Sequence, residues 1–567
     1  MAIEDINKTQ HHAGEFDNTP ELPMDKETFS SHEYEKEIYG GQGMDDQFPT
    51  KATKENKKLP SSMIYIMVFS FYGLKSILSM YCTQFMGYNK STAVTVIHTF
   101  NFAAYAFPLL GAYLADARLG KFRTILYFSI IYCIGGIFLS VSAVPGVTGD
   151  GPGNRSPWGL ITGLVLIALG TGGIKPVVSA FCGDQLGPDQ KTLLQLVFQI
   201  FYWCINFGSF FSTILTPLLR KYVGYWLAFG VPAILLLFAT LVFILGYKKY
   251  VKRPTTGSIL LDSCRIVGTG IAEKFRSRRA GYDDRYYNSH WLDRAKIRHD
   301  PKLVDSVRAA LKVILVFVPM PFFWCLYDQT SSRWTQTAET MDLSIGSVKL
   351  EADQIQAINP LLIMILVPVF EYCLYRPLKK RNINFHPLLR ITIGMWLSIA
   401  AFLLAMFIEM RIDKEPVGTV SVFLQLPQYV LLTCAEILIS ITSLEFAYSQ
   451  APATMKSIIM SFYLLSVSLG NVIVVVVVDG VSITPQWKEY LVFSCIMAVF
   501  TVVFMVIAWR YKPVDPSIYE FEEPKDENET ELELSEKPSK ALPPHLRESQ
   551  TPLNQNIPLD MSIDKTN

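Results

Sequence analysis

Lys175 stands near the end of an otherwise uncharged stretch of roughly 25 residues, Trp158 to Cys182, long enough to cross a bilayer. A cation in that setting needs a partner or a function. The residues around it, Gly170-Thr-Gly-Gly-Ile-Lys175-Pro176, are small or helix-disrupting, which suits a packed helix lining a polar cavity rather than one facing lipid. Snorkelling to a membrane boundary is the competing reading. Glu436 is the acidic counterpart, preceded by Leu-Leu-Thr-Cys-Ala and followed by Ile-Leu-Ile-Ser. Left unpaired there, its carboxylate would be protonated or costly. One base and one acid from opposite halves of the chain would together present opposite charges to a zwitterion.

Other polar side chains interrupt the apolar runs. His98 and Tyr105 are seven residues apart and share a helical face. Histidine can exchange a proton near neutral pH, although on spacing alone His98 reads as a hydrogen-bonded structural residue. Tyr72, Lys75 and Tyr81 follow one another along the first apolar run, with snorkelling a fair rival for Lys75. Phe201-Tyr202-Trp203-Cys204-Ile205-Asn206-Phe207-Gly208-Ser209 holds an amide that can both donate and accept, for a ligand or for a neighbouring helix. In the second half, Lys312, Trp324 and Asp328 share one run, while Asn359 and Glu371 share the next. If those two runs are antiparallel neighbours, Lys312 and Glu371 lie at similar depth and could form a salt bridge that closes one entrance. Tyr463 and Asn471 read as cavity wall or as packing.

The elements that position these residues are membrane spans. The chain has 567 residues, 50% of them hydrophobic, and a net charge of +1, so the distribution of apolar residues sets its class and no nucleic-acid partner is expected. Twelve spans are predicted at about 60–86, 93–115, 124–144, 157–181, 196–218, 224–247, 308–328, 356–375, 388–409, 420–443, 457–479 and 489–509. The expected fold is an all-α polytopic membrane protein with two six-helix bundles. Its segments are a disordered tail 1–57, a first bundle 58–247, a basic linker 248–307, a second bundle 308–512 and a disordered tail 513–567. Lys and Arg gather after spans 2, 6, 8 and 12, which makes those loops and both termini cytoplasmic. No metal-ligand spacing and no nucleophile, base and oxyanion set appears, so neither a cofactor nor an enzyme is expected.

The ordered set of motifs is similar to the proton-coupled oligopeptide transporter family, of the animal type, within the major facilitator superfamily. It comprises Phe71-Tyr72-Gly73, His98-Thr-Phe, Gly170 to Pro176, Phe201 to Ser209, Phe323-Trp324 through Asp328-Gln329, Ser332-Arg333-Trp334 and Leu444-Glu445-Phe446 to Pro452. The loop from Gly111 to Arg123 fits the superfamily. The resemblance implies symport of di- and tripeptides with protons, by a monomer in the plasma membrane, with an endolysosomal membrane as the alternative. It implies that Lys175 holds the peptide carboxylate, that Asn206, Asn359 and Glu436 receive the amino end, and that Tyr72, Tyr81, Tyr105, Tyr202, Trp324 and Tyr463 line the cavity. His98 and Asp328 become outer gate and proton-coupling residues, and Lys312 with Glu371 the inner pair. One departure stands out. The family's Glu-x-x-Glu-Arg pattern is replaced here by Ile64, Met67 and Val68, leaving Lys75 as the nearest span-1 cation and a partial substitute. A facilitator with weakened proton coupling, or a nutrient sensor that does not transport, are the alternative functions.

Overall fold

A computed structural model describes residues 61–512 except 150–151, 186–190, 253–254, 256, 258, 280–289, 453–454 and 482. The two terminal tails lie outside the described residues. Nine helices among the described residues are long and apolar enough to cross a membrane, and Pro301–Phe317 with Met320–Glu339 makes a tenth, bent by 44°. Ser61–Met80 and Lys191–Tyr222 are the first and fifth helices of the series, and with them the helices number the expected twelve. The chain is an all-α multi-pass membrane protein. Strand is confined among the described residues to a two-residue hairpin, Ser344–Ile345 against Val348–Lys349.

Local chemistry sets where the spans break. Span 2 runs through Lys90–Ala106 and restarts at Pro108–Leu114, because proline has no N–H to continue the ladder. Pro319 and Pro321 do the same in span 7, where the bend falls between Phe317 and Met320. Span 10 widens into a π-helical turn, Ile437–Ile441, directly after Glu436. Such turns free a backbone carbonyl and swing side chains off the regular face.

Glycine brings the second and third spans against the fourth. A Cβ on Gly111 would come within 2.6 Å of the Gly173 backbone, and one on Gly170 within 2.6 Å of Tyr132 Cβ. Lys175 lies two residues beyond this crossing, so the close approach of the helices fixes its depth. Each half has its own apolar core. Ile77, Leu78, Ile97, Phe181 and Phe243 belong to the first, and Phe323, Trp334, Phe402, Tyr429 and Phe493 to the second. The linker helix Ile259–Arg279 joins the second core through Ile266.

Candidate functional site

Lys175 Nζ is buried between two rings, 3.8 Å from the centroid of Phe71 and 3.8 Å from that of Tyr105. It makes no hydrogen bond. Ring faces attract a cation, but they leave the directional N–H donors of an ammonium unused. Opposite it in the chain order, Glu436 Oε2 accepts from Asn359 Nδ2 at 2.8 Å, and that amide also donates to Thr433 Oγ1 at 3.2 Å. The Tyr327 hydroxyl donates to Asn359 Oδ1 at 3.2 Å. Tyr72 and Tyr105 of the first half lie within electrostatic reach of Glu436 in the second. Trp324 and Tyr463 meet edge to face with centroids 6.0 Å apart, and Trp324 Nε1 is buried without a hydrogen bond. Asn206 is buried on the fifth span. The side chain of Tyr202 lies outside the described residues.

A second cluster crosses between the halves. Lys75 Nζ donates to Asp328 Oδ1 at 2.8 Å, with both residues buried. Asn471 Nδ2 donates to Asp328 Oδ2 at 2.7 Å and to the Val467 carbonyl at 2.9 Å, which orients the amide and leaves Oδ1 as acceptor. That oxygen is 2.7 Å from His98 Nδ1, so Nδ1 carries the hydrogen. His98 Nε2 is 2.9 Å from Ser332 Oγ and, in the neutral ring, accepts from it. Protonating His98 would turn Nε2 into a donor and require the Ser332 hydroxyl to rotate. Protonating Asp328 would remove the charge that Lys75 faces.

Further contacts across the halves lie toward the end that bears the hairpin. Gln84 Nε2 donates to Glu339 at 2.8 Å, and Thr95 Oγ1 to Asp479 at 2.7 Å. Arg220 reaches Glu351 at 2.7 Å and Asp353 at 3.0 Å, while Lys221 reaches Glu351 at 2.8 Å. Lys121 pairs with Asp184 within the first half at 2.6 Å, and Arg390 with Glu445 within the second at 3.6 Å. Lys75 with Asp328, and Arg220 and Lys221 with Glu351 and Asp353, are ion pairs that cross between the bundles toward the hairpin end.

Burial acts to raise the Glu351 carboxyl, but Lys221 and Arg220 outweigh it and hold the group below the usual carboxylate range. A depressed carboxyl contributes its pairing energy above that range and loses it only as pH falls through the depressed value. Its contribution is thus constant across the histidine range, about pH 5.5 to 7.5. Glu351→Gln should loosen the hairpin end yet leave the shape of a pH–activity curve unchanged, as measured by uptake in cells expressing each protein across that pH range. A curve flattened by that substitution would contradict this assignment.

Several expected placements change. Tyr81 is 1% exposed and stacks on Phe85 at 4.9 Å, with Tyr225 and Phe229 edge-on, so it belongs to an aromatic cluster of the first half rather than to the Lys175 surroundings. Nine residues carry a helix through two and a half turns, which puts Tyr81 on the face opposite Tyr72. Lys75 joins the Asp328 cluster rather than Lys175. Lys312 and Glu371 are both exposed and do not pair; Glu371 instead meets Arg376 at 3.3 Å. The π-helical turn Phe370–Tyr375 shifts the register there, so an arginine five residues on reaches back. Glu436 and Lys175 each have surroundings of their own and form no direct ion pair. Tyr327 is the addition, while Phe71 and Ser332 entered the sequence reading only as motif residues; Asn471, expected as cavity wall or packing, bridges His98 and Asp328.

The profile of the POT family (PTR2) matches residues 122–493, well over half of the chain. The chain belongs to the POT family. It is 30% identical to solute carrier family 15 member 1 of Homo sapiens, covering 84% of this chain and 96% of that protein. Against solute carrier family 15 member 2 of Rattus norvegicus it is 29% identical, over 80% and 90% respectively. Among solved structures, the POT family transporter PepTSo superposes with a TM-score of 0.70 at 31% identity, covering 81% of this chain and 98% of that one. Another, a proton-dependent oligopeptide family transporter, gives 0.63 at 34%, over 79% and 100%. The major facilitator architecture, two six-helix bundles, follows. As a POT family member the chain is a transporter and not an enzyme.

Proposed function

We propose that this POT family member imports di- and tripeptides across the plasma membrane together with protons, by alternating access, with the linker end and both termini in the cytoplasm. The observation that carries the reading is Lys175: a buried ammonium with no hydrogen bond, clamped by Phe71 and Tyr105, while an amide–carboxylate pair, Asn359 with Glu436, lies on the other half. A peptide carboxylate supplies the acceptor that Lys175 lacks, and its ammonium supplies a donor for Glu436. Clamping the two ends leaves side chains to the aromatic surroundings of Trp324 and Tyr463. Asn206 lies on the same half as Lys175 and serves the peptide backbone.

Protons act on the gate. Lys75, Asp328, Asn471, His98 and Ser332 hold the outer end shut, and a proton gained by Asp328 or His98 weakens that hold and shifts the population toward an outward-open state. A coupling of ~1–3 kcal/mol between proton and peptide changes occupancy by tenfold or more. With Ile64, Met67 and Val68 in place of the family's span-1 acids and arginine, this cluster and Glu436 carry the proton linkage alone.

The test is labelled dipeptide uptake in cells expressing the chain, at exterior pH of about 5.5 and about 7.5 to bracket the histidine range, with and without a protonophore. Uptake stimulated by acid and abolished by the protonophore is expected. Uptake indifferent to both would mean a facilitator, and no uptake of any dipeptide would refute the cargo.

A further inference from the structure

The linker helix Ile259–Arg279 has two apolar stripes, and only one packs on the second core. Ser263, Ile266 and Gly270 face inward; Ile266 is fully buried in the second core and Ser263 Oγ lies 3.7 Å from Met455 Sδ. The other stripe is Leu261, Cys264, Gly268, Ile271 and Phe275, spaced three, four, three and four residues apart, which keeps them on one line along a helix. It is open to solvent: Leu261 is 39%, Ile271 44% and Phe275 66% exposed. A Cβ on Gly268 would meet nothing within 4 Å, so the line has a notch at its middle. Trp291 rises beside Ile271, Lys274 and Phe275 to wall a groove. Basic residues border the stripe on both sides, Lys274 on one and Arg265 with Arg276 on the other; the two arginines meet acids of their own helix, Asp262 at 3.1 Å and Glu273 at 4.0 Å, but stay largely exposed.

The tail after span 12 has the complementary chemistry. Between Asp515 and Glu536 it carries ten acidic residues and one basic residue, Lys525, with Ile518, Tyr519 and Phe521 set among the acids. Six spans separate the linker from this tail, an even number, so both lie on one side of the membrane. The tail also departs close by. Tyr511 packs edge to face on Phe446 at 5.3 Å and donates to Gln450 at 3.1 Å, and Met455, five residues further along, is the contact of Ser263. Nine residues from Lys512 to Phe521 reach about 30 Å extended, comparable with a 21-residue helix at about 1.5 Å per residue.

We infer that the acidic, aromatic tail segment 515–536 docks on the exposed stripe of the linker helix, seating Phe521 and its apolar neighbours in the groove beside Trp291 while its carboxylates meet the bordering cations. A lipid surface fits less well. The stripe is one residue wide and notched, whereas an interfacial helix presents a broad apolar face. This inference is independent of the cargo. Because the linker joins the two bundles, the strap would tie the tail to the element that spans them.

Cys264 is a native reporter, since it lies in the stripe and is exposed when nothing covers it. With a short tether giving an effective concentration on the order of 1 mM, an intrinsic affinity of about 100 µM would cover it roughly nine-tenths of the time. The experiment labels the full chain in nanodiscs with a maleimide and reads Cys264 by mass spectrometry. A tail variant, Glu520→Gln, Phe521→Ser, Glu522→Gln and Glu523→Gln, alters no contact among the described residues and should label Cys264 about tenfold faster. High salt should do the same to the unaltered chain. Equal rates for the variant and the unaltered chain would overturn the docking. So would protection that follows anionic lipid content, which indicates the membrane surface, or protein concentration, which indicates a second copy.

Discussion

Lys175→Met should abolish dipeptide uptake while leaving the protein at least as thermostable as the unaltered chain. The ammonium is buried, touches two rings and makes no hydrogen bond, so in the empty protein its desolvation is incompletely compensated. A methionine of similar length fills the space between Phe71 and Tyr105 and removes that cost. With peptide bound the balance reverses. Losing one partner of a buried charge-assisted hydrogen bond costs about 2–5 kcal/mol, on the order of 10²-fold or more in uptake efficiency. Lys175→Arg tests shape. It keeps the charge, but a planar fork differs from a compact ammonium in a slot bounded by two rings at 3.8 Å, so partial activity with a raised KM is expected. Tracer uptake and a melting curve on the same preparations decide it: a Lys175→Met protein that still transports, or that melts well below the parent, would remove Lys175 from the carboxylate role.

Much of this site is legible in the sequence because hydrocarbon makes each charge conspicuous. Lys175, Glu436, Asp328 and His98 stand out from apolar runs, and the twelve-span pattern with its linker is read from the same contrast. Partnership is less legible. Lys75 and Asp328 are 253 residues apart, and nothing local to either names the other. Depth along a helix is easier to read than rotation about it, which is why Tyr72 and Tyr81 look like companions until the half-turn between them is counted. Irregular turns defeat even a careful count: the π-helical stretch at Phe370–Tyr375 moves Glu371 away from Lys312. Asn471 illustrates a different limit. A neutral amide in a span satisfies itself equally well by bonding to a helix or by bridging two ionisable side chains, so its partners emerge only when both neighbours, His98 and Asp328, are located.

Asp328→Asn should open the outer end. In the closed arrangement Lys75 is 8% exposed and Asp328 2%, and the carboxylate is the acceptor of the Lys75 hydrogen bond. Removing one member of a buried ion pair leaves its partner charged and unpaired, at a cost of about 3–5 kcal/mol. That cost falls on the closed state alone, because separation of the bundles lets Lys75 reach water. The equilibrium should therefore move toward the outward-open state by on the order of 10²-fold or more. Cys325, three residues before Asp328 and 1% exposed, reports the opening. A membrane-impermeant maleimide added outside should modify it much faster in Asp328→Asn than in the unaltered protein. The double substitution Lys75→Met with Asp328→Leu removes both charges, so it should return labelling toward the unaltered rate, and the cycle of four proteins isolates the pair from packing effects. Unchanged labelling of Asp328→Asn would mean that Arg220 with Glu351 and Asp353, rather than the Lys75 pair, controls the outer gate. Acid stimulation of uptake should be weakened in both the single and the double variant, because neither retains a carboxylate whose neutralisation can release Lys75 and only His98 and Glu436 are left to carry the proton linkage.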